Sequence, residues 1–357
     1  MTMHGGTLRA TEGFTYAKNI TMSHNGGTFD VAADTLELSG TVSGGYGALN
    51  KTGAGTLLLS GANSYNGPTT VSSGTLKLGS DLALGTASTN SNRAISPVYV
   101  QDGATLDIAG RSAWIGNFTL VDGTVADSVG GGVLGAYSFT VENGTIAAAL
   151  ADVKVPNAGN LSDSVNLFKR TTGMVTLTGA NTYGGTTFVK EGALRVNGSL
   201  ASAVIVEVDG TLRGTGSLNR TVNVEGGVLA PGVDGAGSGS ITLGRFLRIA
   251  DGGSLKIGVG AAASGRVVMT HPEARVLLQN AQLDLSLLPG GVPTLAAGVT
   301  VIDNQGSEPV EGAFADLPEG GVFEIGNGRF VAITYAGGDG NDVVALLQNR
   351  STVLVLR

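Results

Sequence analysis

The sequence predicts an all-β protein: a right-handed parallel β-helix (β-solenoid) with a β-hairpin region at its C-terminal end. Three observations predict it: an internal repeat, short strand-like segments between glycine turns, and 59 glycines among 357 residues. Only 14% of the residues are charged, while Leu, Val, Ile and Thr are plentiful, so the chain can bury a long apolar core. This composition fits many short strands joined by tight turns better than an ordinary two-domain enzyme.

The internal repeat is the clearest of these signals. The segment LNKTGAGTLLLSGANSYNGPTTVSSGTLKL, residues 49–78, aligns without gaps to LFKRTTGMVTLTGANTYGGTTFVKEGALRV, residues 167–196. About thirteen of roughly thirty positions are identical, which is far above chance for an ungapped window. Weaker copies of its last part, such as DGATLDI and DGTLRG, recur at steps of roughly 17 to 22 residues, a period typical of solenoids. Each repeat is therefore predicted to form one coil of the solenoid.

The local pattern within each repeat is that of a strand. Segments such as TLLL, TLKL and ALRV alternate or run apolar over about four to six residues between Gly or Asn turns. Equivalent strands of successive coils are expected to stack into parallel sheets, with Leu, Val and Ile inside. The glycines are expected at the corners, where the chain turns sharply and positive φ is needed.

The domain organisation is predicted from the part of the chain that keeps this repeat. We expect the β-helix over residues 1–282, and its C-terminal end with a terminal hairpin over residues 283–357. Two polar stretches near 80–97 and 151–163 lack the repeat signature, and we expect them to be loops pushed out of the coils. Such loops are where a specific ligand would be sought first, although tolerated insertions explain them equally well.

Charge and cysteine content exclude several classes of protein. The net charge is −7 and the basic residues are scattered singly, which argues against nucleic acid or an anionic membrane as partner. The absence of cysteine rules out disulfides and Cys-based metal sites. The start MTMHGGTLRATEGF has no apolar segment typical of a signal peptide, which favours a piece of a longer protein over a cytoplasmic one. The most apolar window, 283–302, contains Asp and Pro and is unsuited to a membrane helix, so no membrane insertion is expected.

The repeat also resembles a known family. The segment that begins KTGAGTLLLSGANSYNGPTT at Lys51, and its copy at Lys169, resemble the autotransporter-associated β-strand repeat, or passenger-associated transport repeat, of bacterial autotransporter passengers. The first copy matches the family pattern nearly throughout, and the second departs from it at Thr171 and Met174. The segment FADLPEGGVFEIGNGRFVAITYAGGDGNDVVAL resembles the part that often closes such passengers. The resemblance implies a secreted or surface-exposed passenger β-helix, extracellular or on the outer surface of a bacterium.

Three acidic residues form the first candidate site. Asp102, Asp122 and Glu142 are about one coil apart, so we expect them above one another at one corner. Stacked carboxylates repel, so they must extend into water, share a proton or hold a cation. Some β-helix enzymes that cut acidic polysaccharides use such clusters. The competing explanation is that turns prefer Asp, Glu and Asn before Gly, and no companion base in the sequence supports catalysis.

A second candidate lies in GGDGNDVVAL, residues 337–346. This segment fits one turn of the calcium-binding nonapeptide G-G-x-G-x-D-x-U-x, which makes Asp339 and Asp342 calcium candidates. A single copy cannot complete a calcium cage, and no other cofactor is expected. The simpler interpretation of RFVAITYAGGDGNDVVALLQ is strand, tight turn, strand: a terminal hairpin.

The remaining polar and aromatic residues of the repeat predict structural roles. Asn63 and Asn181 are expected to cap a coil corner by side-chain hydrogen bonds, with Tyr65 and Tyr183 covering the turn. Trp114, the single tryptophan, is expected to pack at a coil edge. The three histidines lie far apart in the sequence, which argues against a triad or a zinc site.

These features favour a non-enzymatic, extracellular structural or adhesive rod whose partner is a surface glycan or a ligand on a host or other cell surface. One alternative is a self-assembling filament subunit, because the final apolar strand, 352–356, could join the first coil of a neighbour head to tail. The other alternative is a polysaccharide-active β-helix enzyme that uses the acidic residues above.

The repeat count predicts the dimensions of the particle. Coils stacked about 4.8 Å apart, some 17 of them, would form a rod about 80 Å long. Solution scattering is expected to give the distance distribution of an elongated particle. A compact, globular distribution would contradict the solenoid prediction.

Overall fold

The computed structural model describes residues 1–85, 96–153, 165–232, 239–260, 263–288 and 298–348. Within these residues the chain forms 39 strands and no α-helix, so it has no helix that could cross a membrane in the described part. The predicted all-β class is confirmed. The chain divides into two compact units, Met1–Phe188 with Gly198–Ser202, and Val189–Asn197 with Ala203–Arg357. The division falls inside the strand Thr186–Val196.

The first unit is a parallel β-helix whose coils contribute strands to three sheets; the coils that begin at Leu49 and Thr69 have no described strand in the third. The first sheet contains Thr7–Ala10, Gly27–Val31, Leu49–Thr52, Thr69–Val71, Val98–Val100, Asn117–Leu120, Ser138–Val141 and Leu167–Lys169. The second contains Phe14–Tyr16, Thr35–Leu38, Thr56–Leu59, Thr75–Leu78, Ala104–Asp107, Gly123–Ala126, Gly144–Ile146 and Met174–Leu177. The third is interrupted and contains Thr2–Met3, Ile20–Met22, Val42–Gly44, Ser112–Trp114, Val133–Ala136, Ala149–Asp152, Ala180–Asn181 and Ser199–Leu200.

The register of the first sheet gives the length of each coil. Thr119 pairs with Thr140, 21 positions further along, a typical step. Two steps are longer: Thr70 pairs with Tyr99, and Thr140 pairs with Phe168. The additional residues of these two coils fall where the loops near 80–97 and 151–163 were predicted. Most of those stretches, 86–95 and 154–164, lie outside the described residues, so the loops stay a prediction.

The core of the first unit is a set of inward columns that follow from strand alternation. Leu57, Leu76 and Leu106 are paired across successive coils and are fully buried. Burying one such side chain contributes about 1.5–3 kcal/mol, so each added coil strengthens the stack. Some corners of the coils require glycine, because the backbone there has positive φ or approaches the preceding coil closely. Gly74 has φ of +63°, and a Cβ there would overlap the carbonyl oxygen of Gly53 in the preceding coil.

The second unit is also parallel at first, but its coils lengthen along the chain. Val204 pairs with Val222, 18 positions further, whereas Leu247 pairs with Val276, 29 positions further. The strands of its first and second sheets are Ala203–Gly214, Thr221–Val224, Val228–Pro231, Phe246–Ile249, Ser254–Val259, Arg275–Leu287 and Glu311–Phe314. Those of its third sheet are Ser217–Leu218, Gly239–Leu243, Gly265–Met269 and Val299–Asn304.

The second unit ends in antiparallel strands. Asp342–Gln348 pairs antiparallel with both Val299–Asn304 and Arg329–Gly337, and Val322–Gly326 pairs antiparallel with Arg329–Gly337. The predicted C-terminal hairpin is confirmed, and it is one part of a larger antiparallel arrangement. The expected boundary between residues 282 and 283 falls inside the strand Arg275–Leu287, and the domain division itself stays a prediction. The segment 352–356, predicted to join a neighbouring molecule, lies outside the described residues.

Candidate functional site

Both copies of the repeat carry a fully buried lysine at their third position. Lys51 lies on the strand Leu49–Thr52, whose alternation turns it inward in the same column as Phe29 and Val71. Its Nζ donates hydrogen bonds to the carbonyl oxygens of Thr52, Gly53 and Ser73, at 2.9, 2.8 and 3.0 Å. The ammonium group therefore ties a coil corner to the next coil from the inside.

Lys169 repeats this arrangement. Its Nζ donates to the carbonyl oxygens of Arg170 and Thr171, at 2.8 and 2.7 Å. The sequence alignment paired Lys169 with Lys51 but suggested no role for them. The sequence signal for this role is a lysine at an inward-facing strand position directly before a turn. A charged side chain is buried at such a position only when backbone carbonyls accept its hydrogen bonds.

The two repeat asparagines join successive coils. Asn63 is fully buried; its Oδ1 accepts from Val42 N at 2.7 Å, and its Nδ2 donates to Ala83 O at 2.7 Å. The side chain thus spans the coil before and the coil after its own. Asn181 accepts from Leu150 N at 3.1 Å and donates to Ser199 O at 3.0 Å. The predicted capping by asparagine side-chain hydrogen bonds is confirmed.

The predicted location of the two repeat tyrosines was wrong. Tyr65 and Tyr183 do not cover the turn; both are buried in the interior. The Tyr65 hydroxyl hydrogen-bonds the Thr69 hydroxyl at 2.8 Å, and the Tyr183 hydroxyl bonds that of Thr187 at 2.6 Å. The threonine supplies the polar partner that lets the phenol enter the core. Burial raises the pKa of both tyrosines well above the ordinary value.

The acidic residues Asp102, Asp122 and Glu142 share the corner between the first and second sheets but do not form one column. Asp122 lies between the pairs Leu120–Val141 and Thr124–Thr145, which aligns it with Asn143. The Asn143 Nδ2 donates to Asp122 Oδ1 at 2.9 Å. The expected stack of three carboxylates is therefore interrupted by an amide, and Glu142 is offset by one residue. A catalytic or metal role for these acids stays a prediction.

The calcium candidates lie at the turn that precedes the last described strand. Asp339 is exposed in this turn, and Asp342 begins the strand Asp342–Gln348. Asp342 Oδ1 accepts from the backbone N–H of Asn304 at 2.8 Å. Burial raises the pKa of Asp342, and the nearby carboxylates Asp303 and Asp339 add to the rise. Among the described residues, no group of three or more His, Cys, Asp or Glu side chains is arranged to hold a metal ion. Calcium binding here stays a prediction.

Trp114 packs at a coil edge, as predicted. It is half-buried on the strand Ser112–Trp114, and its indole lies over Gly135 of the next coil, where a Cβ would overlap the ring. His24 stacks on exposed Tyr46 with ring centroids 6.0 Å apart, and His271 Nδ1 accepts from Glu273 N. These histidines have separate, local partners.

The most regular feature of the exterior is a column of threonines on the second sheet. Each member is paired in register with the next across successive coils, about 4.8 Å apart. The column consists of Thr35, Thr56, Thr75, Thr105, Thr124, Thr145 and Thr176. Its sequence signal was a Thr directly before Leu, Val or Ile, which alternation places outside whenever that apolar residue is inside.

Substituting Asn63 by Leu is expected to lower the free energy of unfolding by about 2–4 kcal/mol, because Val42 N–H and Ala83 C=O lose a buried partner. The matched control is Asn50→Leu, on the outward face of a neighbouring strand, which is expected to cost less than about 0.5 kcal/mol. Urea denaturation measures both. Equal stabilities for the two variants would contradict the bridging role.

The burial of Lys51 predicts that the stability of the folded chain depends on pH. Burial lowers its pKa from 10.5 to about 8, and the Asp30 carboxylate opposes this shift. Between these pH values the unfolded chain holds a proton that the folded chain has released, so raising the pH favours folding. The stability of the wild type relative to Lys51→Met is therefore expected to rise from pH 8 to pH 10.5. The exposed Lys18→Met serves as the control for removing a lysine charge from the surface. A flat or falling difference for Lys51→Met would contradict the effect of burial.

Comparison with known proteins agrees with this geometry. The Passenger-associated-transport-repeat family matches residues 49–78 and 167–196. The chain is 31% identical over 239 residues, 62% of its length, to the Adhesin BmaC autotransporter of Brucella suis biovar 1 (strain 1330), of which it spans 6%. It is 40% identical over 75 residues, 21% of its length, to the Extracellular serine protease of Serratia marcescens, of which it spans 7%. The chain thus covers a small part of each of these relatives. The chain thus carries two passenger-associated transport repeats within a parallel β-helix, and it is similar to segments of autotransporter proteins.

Proposed function

We propose that the chain is an adhesin-like passenger segment, displayed outside the bacterium or on its outer surface, with a structural or adhesive role and no catalytic one. The observation that carries the proposal is the repetition of the exterior. The threonine column presents the same group on seven successive coils. Such a surface offers many weak, equivalent contacts along one direction, and equivalent contacts made together raise avidity without a single deep pocket.

Catalysis requires a different arrangement. An acid or nucleophile and its base must converge on one reacting atom, with geometry held to a fraction of an ångström. The acids at the corner of the first unit instead follow one another along the coils, and Asp122 is held by the Asn143 amide. The similarity to the serine protease covers 75 residues and 7% of that protein. The proposal places any proteolytic chemistry of that protein outside the matched part.

The hydrogen bonds inside the coils support a structural role. Asn63 and Lys51 each bond to a neighbouring coil from within, so separating two coils would leave buried polar groups without partners. A segment of this kind resists local opening while its exterior remains available to a surface glycan or another cell-surface ligand. We place the partner in that class because the outward threonines offer hydroxyl groups and methyl groups but no concentrated charge.

The proposal is tested with beads coated with the purified chain. Saturable attachment to at least one of two panels, immobilised glycans or extracellular-matrix proteins, is expected, together with no hydrolysis of polyuronates or casein. Beads coated with the heat-unfolded chain are the control for nonspecific attachment. Turnover of any of these substrates that Asp122→Asn abolishes would replace the proposal with the enzyme alternative. Attachment no stronger than that of the unfolded control on both panels would reject the adhesive role.

A further inference from the structure

A trough crosses the corner between the first and second sheets of the second unit. Its volume is about 590 Å³, and its lining includes Val208, Glu225, Gly226, Arg248, Asp251 and Gly252. We call this feature the glycine trough. It is separate from the acids of the first unit and from the calcium candidates.

The glycine trough exists because two successive coils carry glycine at the same corner. Gly226 and Gly252 have φ of +87° and +78°, a conformation that other residues rarely adopt. A Cβ added at Gly252 would meet nothing closer than the Gly226 Cα, at 3.9 Å. At Gly226 the added atom would lie 2.7 Å from a Val208 methyl group, so Val208 forms one end wall. The floor is therefore bare backbone over about two coils, or roughly 10 Å.

The polar groups around this floor are held in place by the next coil. Arg248 Nε donates to Gln279 Oε1 at 2.7 Å, and its Nη1 lies 3.5 Å from Glu225 Oε1. Asn280 Nδ2 donates to Asp251 Oδ1 at 2.9 Å. A guanidinium has five N–H donors, and these contacts use two of them. Each carboxylate likewise has more acceptor positions than these bonds occupy, so the groups are oriented before a ligand arrives.

The chemistry of the lining selects one class of occupant. Two carboxylates and one guanidinium give the trough a net negative charge, which repels uronates and other anionic sugars. The same groups offer both acceptors and donors, which a ligand rich in hydroxyl groups can satisfy at once. Val208, 69% exposed, adds an apolar contact for the C–H face of a ring. We propose that the glycine trough binds a neutral, hydroxyl-rich sugar residue of a surface glycan. This assignment rests on the proposed adhesive function and names the ligand class for it.

The test uses the full chain on an array of neutral, amino and acidic oligosaccharides, followed by calorimetry with the best neutral binder. Ala250 also lines the trough, and Ala250→Leu fills it without altering its charged groups. Glu225→Gln keeps the volume of the trough but removes one charge. Ala230→Leu, at another half-buried outward position of the same unit, is the matched control. Wild type and Ala230→Leu are expected to bind a neutral glycan equally, and each trough variant is expected to bind about tenfold or more weakly, as loss of one good contact predicts.

Each other outcome is decisive. Neutral-glycan binding that both trough variants retain would overturn the site while leaving the adhesive function intact. Binding of acidic or amino sugars that the trough variants lose would overturn the neutral-sugar assignment. Absence of glycan binding by the wild type would reject the trough as a sugar site, and attachment of beads to matrix proteins would then decide the adhesive function separately. If Ala250→Leu lowers the melting temperature relative to Ala230→Leu, its loss of binding could reflect destabilisation. Binding by Glu225→Gln alone then decides whether the trough is the sugar site.

Discussion

Main-chain hydrogen bonding between equivalent strands of successive coils is the constraint on which the rest of the structure depends. In parallel register, each residue lies beside its counterpart one coil away, so any residue type that recurs at the coil period becomes a column. The leucine columns inside the first unit and the threonine column outside it are two results of one register. The same constraint aligns Gly226 and Gly252 at one corner of the second unit, where it opens a trough.

A narrow interior also dictates which polar residues it accepts. Sharp corners leave backbone groups inside the coil that no strand can satisfy, and each costs free energy unless a side chain meets it. Asn63 meets an N–H of the preceding coil and a C=O of the following one, while Lys51 collects three carbonyl oxygens. Tyr65 enters the core with its own threonine partner. The identical positions of the two repeat copies are therefore largely those that complete coil corners, which explains why the resemblance is strongest there.

Most of the architecture could be predicted from the sequence, because period, alternation and glycine spacing act locally along the chain. The β-helix, the terminal hairpin and the asparagine bridges are confirmed on that basis. The acidic ladder was not predictable at single-residue precision, because the side-chain column depends on how many residues each corner contains. The corner between Val141 and Gly144 places Asn143, not Glu142, beside Asp122. The glycine trough was hidden for a related reason: the coils of the second unit widen, and sequence period alone does not align their corners.

The central claim is that successive coils stack in register, and the absence of cysteine makes it directly measurable. Cysteines introduced at Thr56 and Thr145 would carry spin labels on the threonine column, 89 positions apart in sequence and four coils apart in the first unit. Pulsed electron paramagnetic resonance is expected to give a narrow distance distribution near four strand spacings, about 19 Å between backbones. A broad distribution centred beyond about 30 Å would contradict in-register stacking and the account built on it.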